Sequence, residues 1–268
     1  MKISLIVSDI DGTLTAPSAD VEKGLKDLGE WIKKDSLPFT LASGRPLFLM
    51  KDLCHKLGVT LPVIACNGAC SWEQTQGHIW NLFLNPAEMR AALELADQLG
   101  MAIIVSDGEQ DWVYRQNDYI RAHIAKGEKW EVVRRPQNEG EWNDYQMQKL
   151  LIIDPQSPGK IDQVIEKMKE KEGNYQIVRY DDRGIEVMPL GCTKGTGVAR
   201  LAGYLGVPLE EVLVLGDNAN DMEMFQEAGC CAAVGNAVDL LKEKADYVSE
   251  KNWVYGVIDA LKHFSIGE

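Results

Sequence analysis

Short runs of apolar, largely β-branched residues recur at both ends of the chain, each followed by a polar turn and most of them then by a helix-like segment. Residues 3–8, 39–42 and 62–65 form three such runs, and residues 212–215 and 231–234 form two more. A short apolar run without alternation is typical of a strand buried on both faces. Strands that alternate with helices form a parallel sheet covered by helices. The pattern therefore predicts an α/β core.

The middle of the chain follows a different pattern. Within residues 82–187 the predicted strands follow one another across short turns, most clearly at a hairpin whose turn is 181–184. Strands joined in this way pair antiparallel. We therefore predict a Rossmann-like parallel-sheet core, formed by residues 1–81 and 188–268, into which residues 82–187 are inserted as a separate α+β domain.

The composition limits the partners of the chain. It has 268 residues, with 28 Lys and Arg against 41 Asp and Glu, which gives a formal net charge of −13. Nucleic acids and anionic membranes bind basic surfaces, so we expect neither as a partner. No apolar run approaches the roughly 18 residues of a membrane-spanning helix. The six cysteines show no zinc-ligand or disulfide spacing, which is typical of reduced thiols in a cytoplasmic protein.

Two carboxylates follow the first predicted strand, in the sequence Asp9-Ile10-Asp11-Gly12-Thr13. Ligands of open α/β sheets bind at the carboxyl ends of strands. Carboxylates that share a site repel each other unless a cation or a shared proton relieves them, so this pair indicates a metal site or a catalytic pair. A capped turn is the alternative, because Asp and Gly are common in turns. An EF-hand calcium loop is excluded, because its Gly and closing Glu spacings are absent.

A second acidic motif follows the predicted strand at 212–215. Its residues Asp217 and Asp221 are four positions apart. Together with Asp9 they would form a shell of oxygen ligands, which suits Mg²⁺ better than zinc. The alternative is a helix N-terminus at which Asn220 or Asp221 caps backbone amides, and both interpretations can hold together.

Two further motifs carry groups that bind phosphoryl oxygens. Ser43-Gly44-Arg45 follows the predicted strand at 39–42, and Lys194 opens a predicted helix. A hydroxyl group, an ammonium group and the amides at a helix start all bind phosphoryl oxygens. The segment around Lys194 is not a P-loop, because it lacks the required Gly and Ser/Thr positions. Each motif alone is also compatible with a solvated surface.

In this order, and at these strand and helix ends, the four motifs resemble those of the haloacid dehalogenase superfamily of phosphohydrolases. The chain is most similar to the Cof-like branch (subfamily IIB), in which an α+β cap is inserted between the second and third motifs. The resemblance extends over nearly the whole chain. It implies that residues 82–187 form a cap domain that determines substrate specificity.

The resemblance also implies a role for each motif. Asp9 would be the nucleophile that forms an aspartyl-phosphate. Asp11 would protonate the leaving alcohol and then activate water. Ser43 and Lys194 would bind the phosphoryl group as further catalytic residues. The Mg²⁺ ligands would be Asp9, Asp11 (through its backbone carbonyl), Asp217 and Asp221. Further contacts to the substrate would come from Gly12, Thr13, Gly44, Arg45 and Asn220.

The implied function is that of a Mg²⁺-dependent phosphomonoester hydrolase in the cytoplasm, a monomer or homodimer that acts on a small phosphorylated metabolite. A sugar phosphate is the first expectation. Phosphoglycolate and a cofactor phosphate such as pyridoxal phosphate remain open as substrates, and so does a phosphomutase with the same nucleophile. A phospho-accepting sensor is the non-enzymatic alternative. A receiver domain is disfavoured, because receiver domains are far shorter and have no large inserted cap.

Overall fold

A computed structural model describes residues 2–16, 21–156, 159–170, 173–179 and 182–266. The strands are β1 (Leu5–Ser8), β2 (Phe39–Leu41), β3 (Val63–Ala65), β4 (Cys70–Glu73), β5 (Gly77–Asn81), β6 (Ala102–Ser106), β7 (Asp111–Val113), β8 (Lys149–Ile153), β9 (Tyr175–Arg179), β10 (Gly184–Pro189), β11 (Val212–Gly216), β12 (Cys230–Ala233) and β13 (Tyr247–Val248). The α-helices are α1 (Glu22–Asp35), α2 (Lys51–Leu57), α3 (Pro86–Gln98), α4 (Asp118–Ile124), α5 (Glu139–Asn143), α6 (Lys160–Lys169), α7 (Lys194–Leu205), α8 (Met222–Glu227), α9 (Asp239–Lys242) and α10 (Trp253–His263). None of these described helices is long and apolar enough to cross a membrane.

The chain divides into two compact units. The first comprises Met1–Trp80 and Cys192–Glu268, and the second comprises Asn81–Gly191. The first contains a five-stranded parallel sheet and the second a five-stranded antiparallel sheet. The predicted fold class, an α/β core with an α+β insertion, is confirmed.

The parallel sheet has the order β13-β12-β11-β1-β2, so β1 lies between β11 and β2. All four residues of β1 are buried, because helices cover both faces of a parallel sheet. Its last residue, Ser8, pairs with Leu215 of β11 and with Leu41 of β2. The polar motifs follow these three strands directly, so they lie at one edge of the sheet.

The predicted strand at 62–65 extends this sheet less than expected. It forms β3, which is joined to the β2 side by a single parallel bridge between Ala42 and Ile64. On its other side β3 pairs antiparallel with β4, and β4 lies beside β5 in a three-stranded sheet. The chain reverses after β3 through the turn Cys66–Gly68, whose three residues all have positive φ angles. The sequence analysis did not predict β4, because its partly polar sequence lacks an apolar run.

Helix α7 begins at Lys194 because of its local sequence. The hydroxyl group of Thr193 accepts a hydrogen bond from the Thr196 amide, and the Thr196 hydroxyl accepts one from the Thr193 amide. This reciprocal pair is a capping box, which fixes the first turn of a helix. The capping box therefore fixes the backbone at Lys194, the first residue of α7.

Gly195→Ala should destabilise the first unit. A methyl group on Gly195 would lie 2.4 Å from the carbonyl oxygen of Glu223, a backbone atom that cannot rotate away. We expect the free energy of unfolding in urea to fall by about 1–3 kcal/mol, the usual cost of overpacking. Gly203 is the matched control in the same helix, because nothing lies within 4 Å of a methyl group added there. Gly203→Ala should raise that free energy by about 0.5–1 kcal/mol, and equal effects of the two substitutions would contradict this packing.

The second unit has the strand order β7-β6-β8-β10-β9, and α3 and α6 pack together against one face of its sheet. The predicted hairpin is present as β9 and β10, although Asp181, at the start of its turn, lies outside the described residues. Helix α5 is a short helix of this unit. Its residue Trp142 is buried and packs edge-on against Tyr145, which explains why this segment is ordered.

Candidate active site

Three carboxylates lie together at the carboxyl edge of the parallel sheet. Oxygen atoms of Asp9, Asp217 and Asp221 are all within 4.8 Å of one another. Asp9 follows β1 and is 2% exposed, Asp217 follows β11 and is 9% exposed, and Asp221 is fully buried. The structure thus brings together three of the residues that the sequence predicted as metal ligands.

A single ammonium group lies against this carboxylate cluster. The Nζ atom of Lys194 lies 2.6 Å from Oδ1 of Asp9 and 2.7 Å from Oδ1 of Asp221. Lys194 is also buried, so these ion pairs are shielded from water. Three carboxylates against one ammonium group leave the site with surplus negative charge when all of them are ionised.

This surplus affects the pKa values of the site. Burial and the neighbouring Asp221 raise the pKa of Asp9 to about 7, although Lys194 opposes the change. Burial also raises the pKa of Asp217. Burial alone would lower the pKa of Lys194, but the carboxylates of Asp221 and Asp9 outweigh it and raise that pKa. Lys194 therefore stays protonated at neutral pH. Its one positive charge does not balance the negative charges of the three carboxylates.

The backbone of the two acidic motifs fits closely around Asp217. The hydroxyl group of Thr13 donates a hydrogen bond of 3.0 Å to Oδ1 of Asp217. Gly12 has a φ angle of +89°, and a methyl group there would lie 2.2 Å from Oδ2 of Asp217. Only glycine allows this approach. The carboxylate of Asp221 accepts hydrogen bonds from the amides of Asp217 and Asn218, at 2.9 and 3.1 Å.

The donor set of the carboxylate cluster fits Mg²⁺. All three members of the cluster offer carboxylate oxygens, which Mg²⁺ and Ca²⁺ prefer and which zinc sites seldom use alone. A divalent cation would also offset the surplus negative charge that raises the pKa of Asp9. Both oxygens of Asp221 are already engaged, by Lys194 and by two amides. Asp9 and Asp217 are therefore the residues best placed to hold the ion directly, with Asp221 in support.

Asp11 and Arg45 form a second group beside the cluster. The Nε atom of Arg45 donates a hydrogen bond of 2.8 Å to Oδ2 of Asp11, and its Nη2 atom contacts Oδ1. Asp11 is exposed, and its carboxylate is not part of the carboxylate cluster. The hydroxyl group of Ser43 is buried and accepts a hydrogen bond from the amide of Arg45. Gly44 lies between Ser43 and Arg45 in the same turn.

Asn220, a predicted substrate contact, lies in the second acidic motif between Asp217 and Asp221. It is exposed in the short helical turn Ala219–Asp221. The side chain that caps this turn belongs to Asn218, which accepts a hydrogen bond from the Ala219 amide. The capping interpretation therefore holds for Asp221, whose carboxylate accepts from the Asn218 amide in a capping box with Asn218, and not for Asn220.

The turn Cys66–Gly68 was not identified from the sequence as part of the site. The amide of Asn67 donates a hydrogen bond of 3.0 Å to the carbonyl oxygen of Ser43. A methyl group on Gly68 would lie 2.3 Å from the carbonyl oxygen of Thr193, the residue before Lys194. The turn thus contacts both phosphate-binding motifs. The signal for it is the Asn-Gly pair, which favours left-handed backbone conformations.

Comparison with known proteins agrees with this fold. Residues 6–261 match the family model of haloacid dehalogenase-like hydrolases, so the chain belongs to that family. A 5-amino-6-(5-phospho-D-ribitylamino)uracil phosphatase of Bacillus subtilis is 26% identical over 98% of this chain and 96% of its own length. A phosphoglycolate phosphatase of Methanosarcina mazei is 26% identical over the same shares. The crystal structure of a haloacid dehalogenase-like hydrolase from Bacteroides thetaiotaomicron superposes with a TM-score of 0.84, at 25% identity over 98% of this chain and 100% of that one.

These comparisons confirm two of the predictions. The resemblance to the haloacid dehalogenase superfamily is correct, and so is the assignment of the chain as a phosphatase enzyme. The relatives act on different phosphorylated metabolites, so their names do not define one substrate.

Proposed function

We propose that this protein is a Mg²⁺-dependent phosphomonoester hydrolase that acts through an aspartyl-phosphate on Asp9. The observation that carries the proposal is the environment of Asp9. Its carboxylate is buried at the end of the central strand and is hydrogen-bonded to Lys194. One of its oxygens lies within 4.8 Å of carboxylate oxygens of Asp217 and Asp221. Phosphoryl transfer requires positioning and charge neutralisation, and this arrangement provides both. When bound, Mg²⁺ supplies positive charge that offsets the charge of the phosphoryl group.

In the first step a carboxylate oxygen of Asp9 attacks phosphorus, and an O–P bond forms as the ester P–O bond breaks. Asp11 donates a proton to the leaving alcohol. Lys194 and Ser43 bind the phosphoryl oxygens, as do backbone amides in the region of Thr13, and Gly12 lets the backbone approach closely. Arg45 contacts both oxygens of Asp11, so this ion pair has to open before Asp11 can carry the proton.

In the second step water attacks the phosphorus of the aspartyl-phosphate. Asp11, now ionised, accepts a proton from that water. The O–P bond to Asp9 breaks, inorganic phosphate leaves and the carboxylate of Asp9 is restored. Over both steps the ester and one water molecule become an alcohol and phosphate, so atoms and protons balance.

We propose a sugar or sugar-alcohol phosphate as the substrate class, and residues 82–187 as the cap domain that recognises it. The Bacillus subtilis relative supports this class, because its named substrate carries a phosphate on a ribityl chain. Because the Methanosarcina mazei relative is named as a phosphoglycolate phosphatase, phosphoglycolate is a further candidate substrate. Gly44, Arg45 and Asn220 are proposed as further substrate contacts. No observation favours a phosphomutase or a sensor.

Phosphate release should require a divalent cation. We expect the purified protein to hydrolyse an aryl phosphate or a panel of sugar phosphates with Mg²⁺, and to lose detectable activity after treatment with a chelator. Added Mg²⁺ should restore the activity. Ca²⁺ should restore much less, because it is larger and takes more ligands at longer distances. Activity that persists unchanged in the chelator would contradict the proposed mechanism, and conversion to an isomeric phosphate ester without phosphate release would indicate a mutase.

A further inference from the structure

The carbonyl oxygen of Gly12 has a partner from a distant part of the chain. The Nδ2 atom of Asn236 donates a hydrogen bond of 2.8 Å to it. Asn236 lies in the turn after β12, and its side chain is partly buried. No acidic or phosphate-binding motif includes this residue, so nothing in the sequence analysis pointed to it.

The other end of the same side chain is also engaged. Its Oδ1 atom accepts a hydrogen bond of 2.9 Å from the amide of Trp253, the first residue of α10. Trp253 has a φ angle of +52°, which is costly for a residue with a bulky side chain. Strain of this kind persists only where the surroundings fix the backbone. Asn236 supplies such a constraint, and it connects the start of α10 to the turn at Gly12.

The turn that carries Asn236 contacts the second acidic motif as well. The amide of Val238 donates a hydrogen bond of 2.8 Å to the carbonyl oxygen of Asp217. The amide of Gly235 donates one of 2.7 Å to the carbonyl oxygen of Lys251, just before α10. The segment 235–238 is therefore bonded to both carboxylate motifs, and it is also bonded to the residues at the start of α10.

The turn at Gly12 is held by bonds of its own and by bonds to other parts of the chain, of which the Asn236 bond reaches the Gly12 carbonyl. The amides of Leu14 and Thr15 both donate to the carbonyl oxygen of Ile10, and Arg45 bonds to Asp11. Within the turn, the amide of Gly12 donates to the carbonyl oxygen of Thr15, and outside it the hydroxyl of Thr13 donates to Asp217. Gly12 lies one residue after Asp11 and three after Asp9. A shift of its carbonyl oxygen would rotate the peptide between Gly12 and Thr13. Through the backbone of Gly12 this rotation would move Asp11 and change the separation of the two carboxylates.

We infer that Asn236 is a positioning residue, which sets the geometry of Asp9 and Asp11 through its hydrogen bond to the Gly12 carbonyl. The inference rests on the function proposed above. Asn236 does not contact the reacting atoms in this reaction. Loss of Asn236 should slow the chemical step and leave substrate binding nearly unchanged, because misplacing catalytic groups slows the reaction without removing groups that bind the substrate.

The test compares Asn236→Asp and Asn236→Ala with the wild type. Asp has the same shape and can still accept from the Trp253 amide, but it cannot donate to the Gly12 carbonyl. Ala loses both bonds without adding charge. We expect kcat to fall by about 10- to 100-fold in both variants, while KM stays within about threefold, because a misplacement of about 1 Å can cost that much.

Asn252→Asp is the control for added charge. Asn252 is exposed, immediately precedes Trp253 and makes no side-chain hydrogen bond that caps α10. This variant should keep the kcat of the wild type. If Asn236→Asp slows the reaction and Asn236→Ala does not, the effect is one of charge and the inference is wrong. It is also wrong if both Asn236 variants keep kcat within about twofold of the wild type.

Hydrogen exchange gives a second readout that does not depend on turnover. In both Asn236 variants the backbone amides of residues 10–15 should exchange faster, by on the order of tenfold, while those of β11 stay protected. Unchanged exchange in residues 10–15 would overturn the inference. If the wild type releases phosphate from no substrate, the proposed function fails, and exchange alone then decides whether Asn236 positions this turn.

Discussion

Asp9→Asn is expected to reduce phosphate release by on the order of 10⁴-fold or more, while the protein stays folded. The amide that replaces the carboxylate has almost the same shape but is too weak a nucleophile to form an acyl phosphate. Its oxygen can still accept the hydrogen bond from Lys194. The substitution therefore removes the chemistry of Asp9 without removing its packing. Steady-state hydrolysis of the best substrate in the panel, with Mg²⁺ present, measures the loss.

The same substitution should not lower stability. In the wild type the Asp9 carboxylate is buried beside Asp221, and burial and this neighbour raise its pKa to about 7. Above that pH, without a divalent cation, the folded protein keeps a charge that water would solvate better. We therefore expect the free energy of unfolding of Asp9→Asn at pH 8, without Mg²⁺, to equal or exceed that of the wild type. A large loss of stability would mean that the variant is inactive because it is misfolded.

Asp9→Glu distinguishes a role of Asp9 as the nucleophile from a role that needs only its negative charge. It keeps a carboxylate for Lys194 and for the metal, but it places the attacking oxygen one methylene further out. If Asp9 is the nucleophile, this variant should be nearly as inactive as Asp9→Asn. Mass spectrometry of acid-quenched wild type should then find a phosphoryl adduct on the peptide that contains Asp9. An Asp9→Glu variant with near wild-type activity would argue that Asp9 acts only as a metal ligand.

Lys194→Met is expected to reduce both activity and stability. Met keeps the length and apolar stem of Lys194 and removes only the ammonium group. Asp9 and Asp221 would then be buried without their common cation, and breaking a buried ion pair from one side costs about 3–5 kcal/mol. We expect the free energy of unfolding without Mg²⁺ to fall by that amount, and kcat/KM to fall by about 10³-fold, because a preorganised charge at the phosphoryl group is lost.

Lys251→Met is the matched control for Lys194→Met. The Nζ atom of Lys251 lies 3.0 Å from Oδ1 of Asp259, but its side chain is 59% exposed. Exposed ion pairs contribute about 0–1 kcal/mol, so this variant should unfold almost as the wild type does and keep its activity. Denaturant unfolding of the two variants, side by side, is the measurement. Equal stability losses would show that burial is not what makes the Lys194 pair important.

The strands and the main acidic residues could be predicted because their signals are local. The apolar run that forms β1 stops at Asp9, and the run that forms β11 stops just before Asp217, so the position of both carboxylates at strand ends follows from the sequence. The meeting of these strands side by side follows from the rules of parallel sheets. The capping of α7 at Lys194 is equally local.

The remaining parts of the site depend on tertiary contacts that leave no pattern in the sequence. The pairing of Arg45 with Asp11 joins two loops, and neither loop specifies which partner its side chain takes. Asn236 carries no charge and lies in no motif, although it bonds to the Gly12 carbonyl. The short edge strand β13 and the polar strand β4 also lack the apolar run by which strands are recognised. The roles of the site residues, the Mg²⁺ requirement, the cytoplasmic location and the oligomeric state stay predictions.

The position of β1 between β2 and β11 has a consequence for how the protein is made. Asp9 and Lys194 lie 185 residues apart in sequence, so Asp9 leaves the ribosome long before its ammonium partner and before β11. During this interval β1 has one unpaired edge, which is a liability for aggregation. The second unit is continuous in sequence and has its own buried core, so it can fold while the chain is still growing. The candidate site thus assembles late in synthesis, and a truncated chain that lacks β11 and Lys194 has neither a complete sheet nor this site.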